Sequence, residues 1–213
     1  MLNDTEMNNK MGTIHNEDCL EFMKQVPDNY FDLVLTDPPY GLGDKLLKGG
    51  TNGKVVNFHK QFSETAWGDE KPNQEIFDEI FRISKNQIIW GGNYFDLPPT
   101  RGILCWDKNI GTPHNFSHFE MAWTSFDKPA MKHQRTNDQN KVHPTMKPLK
   151  LMEFCLDYAK IEKHHKVFDP FMGSGTTAVA CKSLGLAWCG CELEKDYVDI
   201  ANKRLEAVQG SLF

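Results

Sequence analysis

A chain of 213 residues with 39% hydrophobic and 25% charged residues has the composition of an ordinary globular protein, which excludes a disordered or fibrous one. It is long enough for one α/β domain with a full core and too short for two substantial domains, so we expect a single domain over residues 1–213. No apolar run reaches the ~20 residues that cross a bilayer, and the polar start lacks the apolar core of a signal peptide, so no membrane partner and a cytoplasmic location are expected.

The net charge of −5 is distributed unevenly along the chain. Four lysines against one aspartate give residues 43–60 a charge of +3, six basic residues against one aspartate give residues 128–150 a charge of +5, and −13 remains elsewhere. Clustered Lys and Arg are what contacts to nucleic-acid phosphates require, although solvated faces fit this charge pattern equally well. The candidate DNA-contacting residues are Lys45, Lys48, Lys54, Lys60, Lys132 and Arg135.

Apolar runs with polar punctuation predict strands, and apolar residues at three- and four-residue spacing predict helices. The predicted strands are Thr13–Asn16, Phe31–Thr36, Gln87–Trp90, Gly102–Trp106, Phe119–Thr124, Lys166–Asp169 and Ala187–Cys191. The predicted helices are Cys19–Gln25, Asn73–Ile83, Leu149–Tyr158, Thr176–Leu184 and Lys195–Val208. Their alternation predicts an α/β fold with a mostly parallel, doubly wound sheet, and residues 95–126 are rich enough in strand to favour antiparallel pairing there.

Two segments, residues 41–68 and 125–142, show no clear period and are too long for simple connections. We expect them to be functional loops. The six cysteines are scattered and include no Cys-x-x-Cys pair, which favours reduced, buried thiols. A zinc site built from Cys105, His114 and His118 is the weaker alternative because a second pair at ligand spacing is lacking, so no metal is expected.

The segment Asp37-Pro38-Pro39-Tyr40 directly follows the second predicted strand. Because proline cannot donate a hydrogen bond to a sheet, the strand must stop there with Asp37 at its carboxyl end. A rigid turn alone would explain an isolated Asp-Pro-Pro segment equally well.

A second motif runs from Val167 to Thr177, where a strand ends in Asp169 and turns through Gly173-Ser174-Gly175 into a helix. Such a turn presents backbone N–H groups and the positive end of a helix to a ligand. No lysine follows the glycines, which disfavours a nucleoside triphosphatase. Glu192 ends the next strand roughly 20 residues later, where doubly wound folds place an acid that binds ribose.

These motifs together resemble the S-adenosylmethionine-dependent DNA amino-methyltransferases that modify adenine N6 or cytosine N4, and in particular their permuted β group, in which the catalytic segment precedes the cofactor loop. The resemblance covers nearly the whole chain. It implies a Rossmann-like sheet of seven strands in circularly permuted order, and a bacterial or phage-infected cell as the setting, often with a restriction system. The segments that carry it are His15–Leu20, Asp37–Tyr40, Trp90–Phe95, His143–Pro148, Asp169–Thr177 and Glu192–Tyr197.

The resemblance implies direct methyl transfer to duplex DNA after base flipping, without metal or covalent intermediate. Asp37 and the Pro38 carbonyl would accept hydrogen bonds from the target amine, the two prolines would stiffen the turn, and Tyr40 would stack on the base. Glu192 would bind the ribose of S-adenosylmethionine, Asp18 and Cys19 its adenine, and Lys147 would lie near its carboxylate. The full set of implied cofactor residues is Asp18, Cys19, His143, Thr145, Lys147, Asp169, Phe171, Gly173, Gly175, Thr176 and Glu192.

Several alternatives remain open at this stage. Adenine N6 is favoured as acceptor because the segment begins with Asp, whereas cytosine N4 enzymes of this family more often begin with Ser. Cytosine C5 chemistry is disfavoured because no Pro-Cys pair occurs. A protein or small-molecule methyltransferase and a non-catalytic DNA-binding protein with this fold are further alternatives. Met146 replaces the family's usual glutamine, and the short recognition segments indicate a small target or a homodimer.

Four other residues have both a structural and a functional interpretation. Asn93 and Tyr94 lie in a segment that could equally be strand-end core or touch the base. Glu120 and Trp123 lie on a mostly apolar strand, which favours a structural role for both. The His143-Pro144 pair also fits the approach to a helix, since Pro148 suits a first helical turn.

Overall fold

The structure is a computed structural model that describes residues 1–41, 71–110, 117–136 and 146–208. Within these residues, eight strands form one sheet in the order β1-β8-β7-β2-β3-β5-β4-β6. The strands are β1 Ile14–His15, β2 Leu33–Thr36, β3 Gln87–Trp90, β4 Ile103–Asp107, β5 Phe119–Thr124, β6 Met131–Gln134, β7 Lys166–Asp169 and β8 Ala187–Cys191.

The helices of the described residues are α1 Asp4–Asn8, α2 Cys19–Met23, α3 Gln74–Ile83, α4 Leu149–Tyr158, α5 Thr176–Ser183 and α6 Lys195–Glu206, with a 3₁₀ turn at Gly92–Tyr94. Capping side chains set several of their starts. Asp18 accepts the backbone N–H groups of Leu20 and Glu21 at the start of α2, and Asn73 accepts that of Ile76 at the start of α3.

Helices cover both faces of the sheet, as the doubly wound fold requires. One apolar cluster joins α4, α5 and α6 to Leu33 and Leu35 of β2, and a second joins α1, α2 and α3 to Val34 of the same strand. Successive residues of β2 therefore face opposite layers, and all three are fully buried. This confirms the predicted α/β architecture.

The sheet contains one antiparallel strand, β5, which pairs with β3 and β4, while the other pairings of the described residues are parallel. The expectation of antiparallel pairing near residue 120 is therefore confirmed. Because these strands share their direction, the carboxyl ends of all described strands except β5 meet at one edge of the sheet. We call this edge the carboxyl edge.

The predicted number of seven strands is wrong, because β6 adds an eighth inside residues 125–142, which the sequence assigned to a loop. Strand β6 lies at the end of the sheet, pairs only with β4 among the described strands, and has mostly exposed residues. An edge strand with mostly exposed residues needs no hydrophobic alternation, so its polar sequence does not predict a strand. Helix α1, in the polar start of the chain, was also not predicted.

Five of the six cysteines are buried, Cys105 is half-buried, and all six are free thiols, in agreement with the sequence. None of the helices in the described parts of the chain is long and apolar enough to cross a membrane.

Candidate functional site

The Asp-Pro-Pro-Tyr segment starts where β2 ends, at the carboxyl edge. Tyr40 Oη donates a hydrogen bond of 2.6 Å to Asp37 Oδ1. Lys147 Nζ donates one of 2.6 Å to Asp37 Oδ2 and another of 3.2 Å to Tyr40 Oη. Both oxygens of the Asp37 carboxylate therefore accept a hydrogen bond. One donor is the phenol of Tyr40, three residues later in the same turn, and the other is the ammonium of Lys147, 110 positions away in the sequence.

Lys147 is the most buried charge in this cluster, with 7% of its side chain exposed. Its Nζ also lies 3.0 Å from Glu120 Oε2 on β5, and Lys108 Nζ lies 2.5 Å from Glu120 Oε1. Two carboxylates and two ammonium groups thus alternate along the carboxyl edge. We call Asp37, Lys147, Glu120 and Lys108 the charge chain.

Burial and pairing with opposite charges shift the pKa values of these groups in opposite directions. Burial raises the pKa of Asp37, as does the charge of Glu120, while Lys147 and Tyr40 oppose the rise. For Glu120, the ammonium groups of Lys147 and Lys108 outweigh burial and lower its pKa to about 2. Burial lowers the pKa of Lys147, but its two carboxylate partners outweigh this and raise it. Glu120 and Lys147 are therefore charged at neutral pH.

The ring of Tyr40 is fixed by its neighbours. It stacks on Tyr94 with ring centroids 4.9 Å apart and planes 17° from parallel. Gly91, with φ of +68°, lies so close that a Cβ there would stand 2.1 Å from Tyr40 Cε1. Tyr94 is 39% exposed, so an aromatic surface is open to solvent beside Asp37.

The second motif forms the turn from β7 to α5, beside β2 in the sheet. Asp169 at the end of β7 is 3% exposed and accepts hydrogen bonds from Thr36 Oγ1 at 2.7 Å and from the Phe171 backbone N–H at 3.0 Å. Burial raises the pKa of Asp169 to about 6, against these hydrogen bonds. The Thr36–Asp169 bond joins the end of β2 to the start of the glycine turn across 133 positions.

Gly173 and Gly175 of this turn have φ of +52° and +83°, a region that favours glycine. A Cβ on Gly175 would stand 2.7 Å from Cβ of Ala201 on α6, whereas a Cβ on Gly173 would meet no atom within 4 Å. Gly175 therefore permits close helix packing, and Gly173 faces open space. Thr176, buried at the start of α5, receives a hydrogen bond from Arg204 of α6 at 3.2 Å.

Glu192 follows β8 and is 8% exposed. Its Oε2 accepts the Gly173 backbone N–H at 2.8 Å, and its Oε1 accepts that of Glu194 at 2.9 Å. Burial raises the pKa of this carboxyl group. Asp18 and Cys19 begin α2, just beyond β1, which pairs with β8. Burial raises the pKa of the Cys19 thiol to about 12, so this thiol is neutral at physiological pH.

The structure therefore brings the described parts of both predicted motifs to one edge of the sheet, including Asp37 to Tyr40, Asp169 to Thr176, Glu192, Asp18 and Cys19. Lys147, predicted at the cofactor, lies against Asp37. Lys132 is exposed on β6 and pairs with Asp107 at 3.2 Å, and Arg135 follows the carboxyl end of the same strand. The predicted residues outside the described part of the chain are Lys45, Lys48, Lys54, Lys60, His143 and Thr145.

Sequence reasoning did not assign Glu120 or Lys108 to the site. A single carboxylate in the mostly apolar strand β5 is the one sequence feature that points to Glu120. Its partners Lys108 and Lys147 lie in other segments, so the sequence around Glu120 does not reveal them. The zinc alternative stays untested, because His114 lies outside the described ranges. Within those ranges, no group of three or more His, Cys, Asp or Glu residues could hold a metal ion.

Comparison with known proteins identifies the family of this chain. A family of DNA methylases, the N6/N4 methyltransferases, matches residues 89–203, which is more than half of the chain. The chain belongs to this family. The methylase is 28% identical to the type II methyltransferase M2.DpnII of Streptococcus pneumoniae, over 93% of the chain and 91% of the relative. It is also 28% identical to the type II methyltransferase M.HinfI of Haemophilus influenzae, over 95% of the chain and 70% of the relative.

Solved structures agree with this assignment. The crystal structure of the M1.HpyAVI–SAM complex superposes with a TM-score of 0.55 at 25% identity, over 90% of the methylase and 98% of that chain. The PvuII cytosine-N4-specific DNA methyltransferase superposes with a TM-score of 0.60 at 17% identity, over 94% and 89%, and supports the fold alone. The methylase is thus an S-adenosylmethionine-dependent DNA methyltransferase. The open space before Gly173 and the buried carboxylate of Glu192 fit such a cofactor.

Proposed function

We propose that the methylase transfers a methyl group to the exocyclic N6 of adenine in duplex DNA. The observation that carries this proposal is the carboxylate of Asp37, which is held at the carboxyl edge directly beside the glycine turn. We further propose that residues 1–213 form one domain and that the enzyme serves a type II restriction–modification system, as the names of its relatives suggest.

The chemistry follows from the poor nucleophilicity of an exocyclic amine, whose lone pair is delocalised into the base. Asp37 and the Pro38 carbonyl accept the two amine hydrogens, which directs the lone pair away from the ring and stabilises the positive charge that develops on nitrogen. Pro38 and Pro39 keep this turn rigid, so little reorganisation is needed during reaction. Asp37 begins the segment, which favours adenine.

The cofactor residues have distinct proposed roles. S-adenosylmethionine supplies an electrophilic sulfonium methyl group. Glu192 accepts hydrogen bonds from the ribose hydroxyls with the lone pairs that its two backbone donors leave free. Asp18 and Cys19 contact adenine beside it, and Gly173 with Phe171 lines the methionine part. Asp169 and Thr176 hold the turn in shape through Thr36 and Arg204.

The DNA contacts involve the carboxyl edge as well. The target base leaves the duplex to reach Asp37 and stacks against Tyr40, whose other neighbour is the exposed Tyr94. Arg135 follows β6 at the same edge and Lys132 is exposed on that strand, so both suit phosphate contacts. Residues 41–68, which include Lys45, Lys48, Lys54 and Lys60, and residues 125–142 read the target sequence. Such short segments favour a small target or recognition shared in a homodimer. His143 and Thr145 lie near the carboxylate of the cofactor.

Cytosine N4 is the second candidate. The same two acceptors would serve the amine of cytosine, and the fold of the cytosine-N4-specific PvuII enzyme matches over 94% of the chain.

Incubation of the purified protein with duplex DNA and methyl-labelled S-adenosylmethionine tests the proposal. Digestion of the product to nucleosides should place the label in N6-methyl-2′-deoxyadenosine, and sequencing of genomic DNA from an expressing host should give one short target. Label in N4-methylcytosine would select the second candidate. Absence of label from DNA, with the cofactor bound, would refute both.

A further inference from the structure

The charge chain contains a conflict with the proposed reaction. Asp37 must accept a hydrogen bond from the target amine, yet its Oδ1 is held by Tyr40 and its Oδ2 by Lys147, each at 2.6 Å. The ammonium on Oδ2 also neutralises the negative charge that should stabilise the positive charge developing on the amine. Withdrawal of one donor would give the amine a free carboxylate oxygen.

Lys147 is the donor that can leave. Tyr40 is fixed by its stack on Tyr94 and by the close approach of Gly91, so its hydroxyl has little freedom. Lys147 has a flexible four-carbon stem, and its Nζ already lies 3.0 Å from a second carboxylate, that of Glu120. A small rotation would exchange one anionic partner for the other without bringing the ammonium into an unpaired, buried state.

We propose that Glu120 is a positioning residue that takes Lys147 from Asp37 when the target amine binds. In the DNA-free enzyme, Lys147 occupies the acceptor site that the amine will use. After transfer to Glu120, Asp37 faces the amine with its full negative charge. This inference rests on the proposed function.

The charge balance of the chain supports such an exchange. Asp37 and Glu120 carry two negative charges, Lys147 and Lys108 carry two positive charges, and the sum is unchanged when Lys147 moves. Lys108, 15% exposed, keeps Glu120 ionised while Lys147 is elsewhere. An ammonium that stayed on Asp37 would repel the positive charge that develops on the amine, so the exchange favours the transition state.

The variant Glu120→Gln tests the proposal because it removes the second anion at nearly constant volume. In single-turnover methyl transfer with saturating cofactor and DNA, we expect the rate to fall by about 10- to 100-fold, the range for loss of a group that orients a functional side chain. The affinity for S-adenosylmethionine should be unchanged. Glu153→Gln is the matched control, since Glu153 has the same 21% exposure, pairs with Lys150 at 2.5 Å, and should leave the rate unchanged.

The acid limb of the pH–rate profile gives a readout that a structural contact would not move. Asp37 is faced by Lys147 and Tyr40, which lower its pKa, by Glu120, which raises it, and by Asp169 from β7. Removing the charge of Glu120 and leaving Lys147 entirely to Asp37 both lower the pKa of Asp37. The acid limb of Glu120→Gln should therefore move to lower pH while its plateau rate falls.

The outcomes separate this inference from the proposed function. A wild-type enzyme that labels no DNA refutes the function itself, whereas a Glu120→Gln rate within twofold of an active wild type refutes only the exchange. A variant that loses cofactor binding together with activity, or keeps the acid limb unmoved, shows a structural role and also refutes it. If Glu120→Gln does not fold, Glu120→Asp decides: it keeps the charge beside Lys108 but withdraws it from Lys147, so the rate should fall at least about tenfold, and a rate within twofold of wild type overturns the proposal.

Discussion

The two glycines of the cofactor turn should respond differently to the same substitution. Gly173→Ala and Gly175→Ala each place a methyl group on a residue with positive φ, +52° and +83° respectively. The new methyl at 173 enters open space, but that at 175 would stand 2.7 Å from Cβ of Ala201, well inside contact distance. The pair therefore separates backbone strain from steric overlap in a single loop.

The expected magnitudes follow from these two contributions. Left-handed backbone costs a non-glycine residue about 1–2 kcal/mol, which applies to both variants. Overlap with α6 adds about 1–3 kcal/mol for Gly175→Ala, as for other overpacked cores. The free energy of unfolding should thus fall by about 1–2 kcal/mol for Gly173→Ala and about 2–5 kcal/mol for Gly175→Ala. In a chain of this size, the difference corresponds to a melting temperature roughly 2–12 °C lower for the second variant.

Cofactor affinity should show the opposite order. The methyl of Gly173→Ala projects into the space proposed for S-adenosylmethionine, so its affinity should fall at least about tenfold, while folded Gly175→Ala should bind nearly as well as wild type. Urea unfolding and calorimetric titration with S-adenosylmethionine measure the two effects. If Gly173→Ala were the less stable variant, or Gly175→Ala the weaker binder, the assignment of one glycine to packing and the other to the ligand would be wrong.

Three further predictions concern the residues around this turn. Asp37→Ala should retain cofactor binding but lose transfer by at least about 10²-fold in labelled-methyl assays, and equal loss of both would contradict its assigned role. Gly91→Ala should displace the ring of Tyr40, whose Cε1 would lie 2.1 Å from the new Cβ. The single-turnover rate should therefore fall by about tenfold or more while cofactor affinity is retained. An unchanged rate would argue against a role for that ring. The pKa of Asp169 rises from 3.8 to about 6 on folding. As the pH rises from 4 to 7, the unfolding free energy of wild type should therefore fall by up to about 3 kcal/mol relative to that of Asp169→Asn. A difference between the two proteins that stays constant with pH in urea unfolding would exclude this.

Most of the sheet could be predicted because its strands are apolar and end abruptly. Strands β3, β5, β7 and β8 match their predicted bounds residue for residue, as does helix α4. Proline, glycine or acidic residues follow several of these runs, so the neighbouring residues predict where each strand ends. Strand β6 was missed because an edge strand with exposed side chains lacks that signal.

The site was only partly predictable for a related reason. Asp37 and Gly173 are recognisable from short motifs, and the rule that parallel strands share one edge brings them together. The contact between Lys147 and Asp37 joins positions 110 residues apart, and Glu120 reaches the same ammonium from an antiparallel strand. Such pairings depend on strand order and side-chain reach, which local patterns do not encode.

The position of β7 between β2 and β8 also affects how the protein is made. Asp32, just before β2, hydrogen-bonds with Lys166 across 134 positions, so one flank of β2 has no strand beside it until that much more chain has been translated. At about 5–20 residues per second, this takes roughly 7 to 27 seconds on the ribosome. During that interval an apolar strand edge is open to wrong partners. The motif order, in which residues 37–40 precede residues 169–177, therefore leaves this edge of β2 uncovered in the nascent polypeptide until β7 emerges.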